Sequence, residues 1–342
     1  MIADVAPREP AESDDGEMPV KSPKKTTALT AFFTLLLAAC SNDSACDRDC
    51  LIDLTNSYLA ALVARDPSAV PLAPDIAFVE NIKRMKPGEG LWTNAVSGPT
   101  DFAIYVPDVV QQQAGFMGVM EREGENGDQA VLLAVRLKLE HGQITEAEHL
   151  IAPVNADNMQ RLQKPRPGLL SEVPAGNRKD HDELAKIGLS YYDALDDNDG
   201  SLMPFADDCE RHENGMVTAG PNAGPGPNAD PNQAPVARLC AAQLDSQTFV
   251  YIDRIENRRL IAADPVTGLA MGFSHFRHPF DNLPYDVIHT DGSTSERNKE
   301  NMPYDPFDMP AAHIFKIGAD GLVHEIEAVG FVAPYNSPTG WE

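Results

Sequence analysis

The sequence predicts an α+β protein built as two tandem cone-shaped domains, each a curved antiparallel sheet wrapped over N-terminal helices. Three observations predict it. The chain has 342 residues, 42% of them hydrophobic, which is enough for about two domain cores. It repeats itself: residues 51–81 align with 184–214 at a constant offset of 133, with 12 of 31 positions identical, including Tyr58/Tyr191, Asp66/Asp199, Glu80/Glu213 and Asn81/Asn214. In both copies a helical period then gives way to strand alternation.

Each copy opens with a helix. Leu54, Tyr58, Ala61 and Leu62 recur at three- and four-residue spacing, and Asp66-Pro67 ends the run. Strand alternation with a Gly turn marks closing hairpins at 130–139 with 143–151 and at 312–317 with 322–332. These ends also match, Leu137-Lys138-Leu139 with Phe315-Lys316-Ile317, and Glu146 and Glu148 with Glu325 and Glu327. The expected boundaries are 46–155 and 178–335, joined by a linker at 156–177.

A formal net charge of −25 argues against a nucleic-acid partner, since phosphate affinity comes from clustered Lys and Arg. No apolar run reaches the length of a spanning helix. Lys21, Lys24 and Lys25 precede a short apolar run at 28–39, the plan of an export signal over residues 1–39, with Met18 an alternative start. Leu37-Ala38-Ala39-Cys40 resembles the bacterial lipobox, which implies lipidation of Cys40 and a lipid anchor in the cell envelope; Ser41 suggests the outer membrane. An ordinary secretory peptide is the alternative. Export puts Cys46, Cys50, Cys209 and Cys240 in an oxidising compartment, where three pairings are possible and Cys46–Cys50 with Cys209–Cys240 is favoured.

The Leu/Tyr-rich first helix, the following Ala-x-Asp…Glu-Asn strand and the closing Gly-x-hydrophobic-x-Glu-x-Glu hairpin resemble the nuclear transport factor 2-like superfamily, including SnoaL-like proteins. The resemblance covers both copies and implies a cone fold. For function it implies a range, from ketosteroid isomerases, scytalone dehydratases, epoxide hydrolases and polyketide cyclases to non-catalytic binding modules. It also implies that the first copy stands in for the second subunit of a dimer.

Seven of the nine histidines fall in the second copy, so specialised chemistry is expected there. His212 replaces Val79 before the shared Glu-Asn, His275 and His278 flank Arg277, and Tyr251 is matched to Tyr105. Tyr, Arg, His and a carboxylate form a cofactor-free acid and base set. The resemblance implies His212 or His275 as base, Tyr251 as donor and Arg254 as orienting cation, with Glu213 beside them. Asn214, Tyr285, His313 and Glu325 are candidate ligand contacts. The shared Glu80/Glu213 and Asn81/Asn214 also read as a structural corner, and the glutamate pairs as solvated sheet charges if they face outward. A zinc site of His212, His313 and one of His275 and His278 is the minor alternative; no metal or cofactor is expected.

Two long Pro-rich loops follow in the second copy. The one at 220–235 reads as a spacer held by Cys209 and Cys240, and the one at 281–309, carrying Tyr285, Tyr304 and Phe307, as a lid. There is no Gly-rich phosphate loop, no Gly-x-Ser-x-Gly elbow and no Cys-x-x-Cys, which argues against nucleotide-dependent and serine-hydrolase chemistry. The expectation is an exported lipoprotein whose second copy holds a small apolar or aromatic molecule. It is either a lyase, isomerase or hydrolase working by proton transfer or a non-catalytic binding or envelope-assembly protein.

Overall fold

The computed structural model describes residues 45–125, 127–225 and 231–342. The expected leader, Met18 and Cys40 lie outside them. Helix α1, Arg48–Ala64, starts where the Asp47 side chain accepts a hydrogen bond from Cys50 N and ends where Arg65 turns left-handed, φ 56°. Then come β1, Leu72–Glu80, β2, Lys83–Met85, α2, Leu91–Asn94, β3, Ala95–Ser97, β4, Ala103–Asp108, β5, Gln113–Gly124, β6, Gly127–Glu140, and β7, Gln143–Pro153. A connection carrying the short α3, Pro167–Leu170, leads to α4, His181–Asp196, whose start is a capping box of Asp180 and Glu183. There follow β8, Phe205–Glu213, β9, Met216–Ala219, α5, Cys240–Asp245, β10, Arg254–Asp264, and β11, Leu269–His278. A hairpin of β12, Tyr285–Ile288, and β13, Thr294–Arg297, precedes β14, Phe307–Ile317, β15, Val323–Gly330, and β16, Ala333–Pro334.

The strands form two large curved sheets. The first runs β2-β1-β7-β6-β5, with β3 and β4 both on the far edge of β5; the second runs β9-β8-β15-β14-β11-β10, with β16 against β14. Sheet order therefore repeats, strand for strand, outward from β2 and from β9. The repeated residues explain the shared geometry: Asp66 and Asp199 each accept from the backbone N–H and hydroxyl of the serine two residues on, fixing the same turn between helix and strand.

The sheets are mixed rather than wholly antiparallel, which corrects the expectation. β1 pairs with β7, and β8 with β15, in parallel. The strand that leaves the helix waits until the other strands are laid down before its partner arrives, and so long a connection is what a parallel pair needs.

Each sheet curls over its own helix. Leu51, Tyr58, Leu62, Phe78, Trp92, Phe116 and Val135 fill the first cone, and Leu184, Tyr191, Tyr192, Leu195, Ala270 and Phe315 fill the second. At Gly188 a Cβ would lie 2.9 Å from Leu260 and 3.2 Å from Phe315, so the absence of a side chain lets α4 sit down on its sheet. A third apolar layer joins the backs of the two sheets, through Val106, Met117, Leu132 and Leu150 on one and Ile261, Met271, Phe273 and Ile314 on the other. The sheets approach closely at Gly115, where a Cβ would lie 2.7 Å from Met271 Sδ. Disulfides join Cys46 to Cys50 and Cys209 to Cys240, the favoured pairing.

Candidate functional site

Strand parity decides which side chains enter each cone. On β8, Cys209 packs inward, so Arg211 and Glu213 share the inner face while Glu210 and His212 take the back. Arg211 stands where the first copy has Phe78. Its guanidinium is buried, bonded to Tyr191 Oη at 3.2 Å, Gln243 Oε1 at 2.8 Å and Thr218 Oγ1 at 3.0 Å, and paired with Glu213 at 3.0 Å. The Glu213 side chain keeps 42% of its surface, so this is a carboxylate held by a buried cation and still reachable from water.

A largely buried cluster of aromatic rings lies on the same side of the sheet, with Tyr304 at its exposed edge. Tyr251 stacks on Phe280 at 5.8 Å and on His278 at 5.7 Å; His278 stacks on Phe307 at 4.3 Å; and Phe280 meets Tyr304 at 5.6 Å. Tyr304 is 54% exposed. The 281–309 segment thus lays Phe307 on His278 and Tyr304 beside Phe280. Burial, followed by the negative charge of Glu213, raises the Tyr251 phenol, which is therefore a neutral donor. Burial lowers His278 to about 4, leaving a neutral ring. Tyr285, raised to about 12 by burial, donates to Thr248 O at 3.4 Å.

Three of the expected catalytic residues lie elsewhere. His212 is on the back of the sheet, 2.7 Å from Glu210, and burial lowers it to about 4. His275 is also on the back, in a network with Arg277, Asp308 and Ser337, and its ring is lowered by burial and then by Arg277. Arg254 is exposed and pairs with Asp253 and Glu256. Only Glu213 and Tyr251 of the expected set lie on this side of the sheet. His278, three residues from His275, is the histidine that faces in.

The matching of Tyr251 with Tyr105 also fails. Tyr105 pairs with Phe116, which pairs with Val135, and the corresponding chain in the second sheet is Leu260, Gly272 and His313. Tyr105 instead bonds Asn56 at 2.7 Å.

The expected ligand contacts divide similarly. Asn214 is a clamp: at φ 49° it donates to Gly330 O at 2.9 Å and accepts from Gly330 N at 3.1 Å. Asn81 does the same to Ile151 at φ 44°. The asparagine half of the structural-corner reading is therefore what the geometry shows. His313 is buried among Tyr191, Tyr192, Phe276 and Phe315, lowered by burial to about 3. It shares no site with His212, and among the described residues no group of three or more His, Cys, Asp or Glu is placed to hold a metal ion.

Glu325 and Glu327 face the back of the sheet, yet they are covered rather than solvated. Arg166, from the connection between the copies, lies 3.3 Å from each and donates to Glu210 O and Ile326 O at 2.8 Å. Burial raises Glu325, and raises Glu327 to about 8.

The first cone holds a polar chain that the histidine count overlooked. Tyr58 Oη and His149 Nε2 are 2.9 Å apart, His149 Nδ1 and Glu80 Oε2 are 3.1 Å apart, and Glu80 also accepts from Leu91 N at the start of α2. His149 sits opposite Val135, whereas in the second sheet His313 sits opposite Ala328. The histidine has changed strands while keeping its place beside the repeated tyrosine. Tyr58, Trp92 and His149 are packed shut, so this chain of groups braces the core.

No curated protein matches the chain. Among solved structures, it is similar to a hypothetical protein with a ketosteroid isomerase-like fold from Catenulispora acidiphila, crystallised with trimethylamine, at 15% identity over 28% of this chain and 83% of that one, TM-score 0.24. It is similar to PrhC from Penicillium brasilianum at 14% identity over 33% and 84%, TM-score 0.26. It is also similar to a candidate polyketide cyclase from a Silicibacter species at 15% identity over 44% and 88%, TM-score 0.26. Residues 177–330 match a family described as a domain of unknown function, DUF8021.

Proposed function

We propose that this is an exported, lipid-anchored protein of two nuclear transport factor 2-like units, over 46–155 and 178–335, whose second unit binds a small aromatic or apolar molecule at the mouth of its cone. One observation carries the reading: Arg211 replaces Phe78 on the inner face, and its ion pair with Glu213 lies on the side of the sheet that carries the stacked rings of Tyr251, His278, Phe280 and Phe307. Four polar partners satisfy the buried guanidinium, and what it adds over a phenylalanine is a carboxylate held at the inner face and reachable from water. Deeper in, Tyr191, Tyr192 and His313 fill the space, which leaves the ligand at the entrance. Flat uncharged rings suit such a platform.

A second reading rests on Glu213 itself. A solvent-reachable carboxylate within electrostatic range of a neutral phenol, Tyr251, is a base and a donor for cofactor-free proton transfer. Thermal-shift titration of the full chain with uncharged aromatics, headed by 2-naphthol, tests the binding. The Tm is expected to rise, and Tyr304→Ala, a change at an exposed ring, to remove most of the rise. His212→Ala, on the back of the sheet, should keep it. A panel that leaves the Tm unmoved, or a rise that survives Tyr304→Ala intact, would overturn the proposal.

A further inference from the structure

A cleft of about 270 Å³ opens at the seam between the two sheets, away from both cones. Arg136 and Glu146 line it from the back of the first sheet, Asn257 and Arg259 from β10, and Thr339 and Trp341 from the C-terminal tail. A smaller chamber of about 20 Å³ shares Asn257, Arg259 and Thr339 with it and adds apolar walls from Ile82, Leu150, Phe273 and Pro310. The tail is seated closely: a Cβ at Gly340, φ 84°, would lie 2.8 Å from Val79 Cγ1.

The lining is rich in donors. Three guanidiniums surround the Trp341 ring, Arg136 at 5.6 Å, Arg84 at 5.7 Å and Arg259 at 5.9 Å from its centroid. The indole Nε1 of Trp341 is buried with no acceptor among the described residues. An N–H left in that state wants an acceptor. The nearby acids are engaged: Glu146 bonds Arg136 at 2.7 Å and Lys138 at 3.1 Å, Glu148 takes Arg259 in two bonds of 2.8 Å, and Glu342 accepts from Thr339 and Gly340 of the tail. The Glu325–Glu327 face of the other sheet has its arginine supplied by the connection between the copies, through Arg166, and there the chain itself fills the place.

We infer that the seam cleft is a binding site for a small organic monocarboxylate. Its carboxylate is met by Arg136, Arg259 and the indole N–H, and its apolar body stays in the larger cleft, since the chamber toward Leu150 and Phe273 has room for little more than a water. The site is separate from the cone mouth and does not depend on it. Arg136 and Arg259 are already paired with Glu146 and Glu148, so the anion is recognised by converging N–H donors rather than by a net positive charge.

The chain has two tryptophans, and Trp92 is sealed in the first cone, so an emission change on binding reports Trp341. Titration of the full-length chain with sodium benzoate, followed by fluorescence and by calorimetry, is expected to saturate. Benzamide, of the same shape without the charge, should give no response, and inorganic phosphate should not displace benzoate. Arg259→Gln combined with Glu148→Gln, which leaves no carboxylate stranded, should weaken benzoate about tenfold or more. Trp341→Phe, which keeps the ring and removes the N–H, should weaken it several-fold by calorimetry and decides the matter if the double variant does not fold. A flat benzoate titration, an equal response to benzamide, displacement by phosphate, or undiminished binding in the folded variants would overturn the inference.

Discussion

Arg259 of the second sheet reaches across the seam to Glu148 of the first, closing two parallel hydrogen bonds of 2.8 Å. The bond is the mirror of another. Glu327 holds the place in the second sheet that Glu148 holds in the first, and its cation, Arg166, comes from the connection between the copies. The duplicated Glu-x-Glu strand thus sets the same electrostatic demand twice, and the chain answers it once with the other sheet and once with the connection.

The second answer is the weaker one, and pH exposes it. Glu327 meets Arg166 at 3.3 Å from the connection, with Glu325 on its own strand and Glu210 and His212 across on β8, and one of its oxygens is unpartnered. Its carboxyl is raised to about 8, so the folded state holds a proton that the unfolded state releases near pH 4.5, and stability falls as pH rises between those values. His212, lowered to about 4 from 6.5, acts oppositely and only below pH 6.5. Between pH 6.5 and 8 the wild type should therefore lose about 1–2 kcal/mol relative to Glu327→Gln. Urea unfolding of both proteins at several pH values measures the gap, and a gap that stays constant across this window contradicts the assignment.

The asparagine clamps give a prediction that separates conformation from bonding. Asn214→Gly keeps the left-handed backbone but loses both bonds to Gly330, for a cost of about 1–2 kcal/mol. Asn214→Ala adds the strain of a Cβ at φ 49°, about 1 kcal/mol more. Denaturation midpoints should rank wild type, glycine, alanine. The reverse order would mean that the bonds do not clamp the strand end.

Much of this architecture is legible in the sequence, and the part that is not has a physical reason. The repeat offset of 133 survives in the helix N-caps Asp47 and Asp180, in the Asp66 and Asp199 turns and in β1 and β8, which depend on residues close together in the chain, and it also marks both asparagine clamps, whose partners lie 70 and 116 residues away. Side-chain direction is harder. His212 and Glu213 are adjacent, so a strand must send them to opposite faces, and grouping them with His275 and Tyr251 needs a shared face that alternation forbids. The informative substitution is one step earlier, Phe78 to Arg211, visible in the same gapless alignment. The seam cleft has no local signature, since Arg136, Arg259 and Trp341 are brought together only by packing of the sheets and tail.

The two disulfides should contribute unequally. Cys209–Cys240 spans 31 residues and Cys46–Cys50 only 4, so loop-closure entropy gives about 4 kcal/mol for the first and about 2 kcal/mol for the second. The paired serine variants, Cys209→Ser with Cys240→Ser and Cys46→Ser with Cys50→Ser, should show that order in denaturant midpoints. Equal losses would mean that the enclosed Pro-rich segment is already restricted in the unfolded chain.

The interchange of His149 and His313 allows one substitution to be compared in two equivalent settings. His149 bridges Tyr58 and Glu80 through bonds of 2.9 and 3.1 Å, both ring nitrogens engaged in a sealed core. His313 is packed as tightly, but its polar link is a 3.5 Å approach to Tyr192, and burial holds the ring neutral near pKa 3. Phenylalanine conserves the ring and removes the nitrogens. His149→Phe leaves Glu80 with the Leu91 N–H alone and takes the ring partner from the buried Tyr58 hydroxyl, at a cost of about 2–4 kcal/mol, whereas His313→Phe changes mainly volume, at about 1 kcal/mol. Adding Glu80→Gln to His149→Phe should recover part of the first loss, because a neutral amide needs the lost ring partner less than a buried carboxylate does. Chemical denaturation of the three variants gives the ranking, and equal costs for the two histidines would show that the Tyr58–His149–Glu80 chain contributes packing alone.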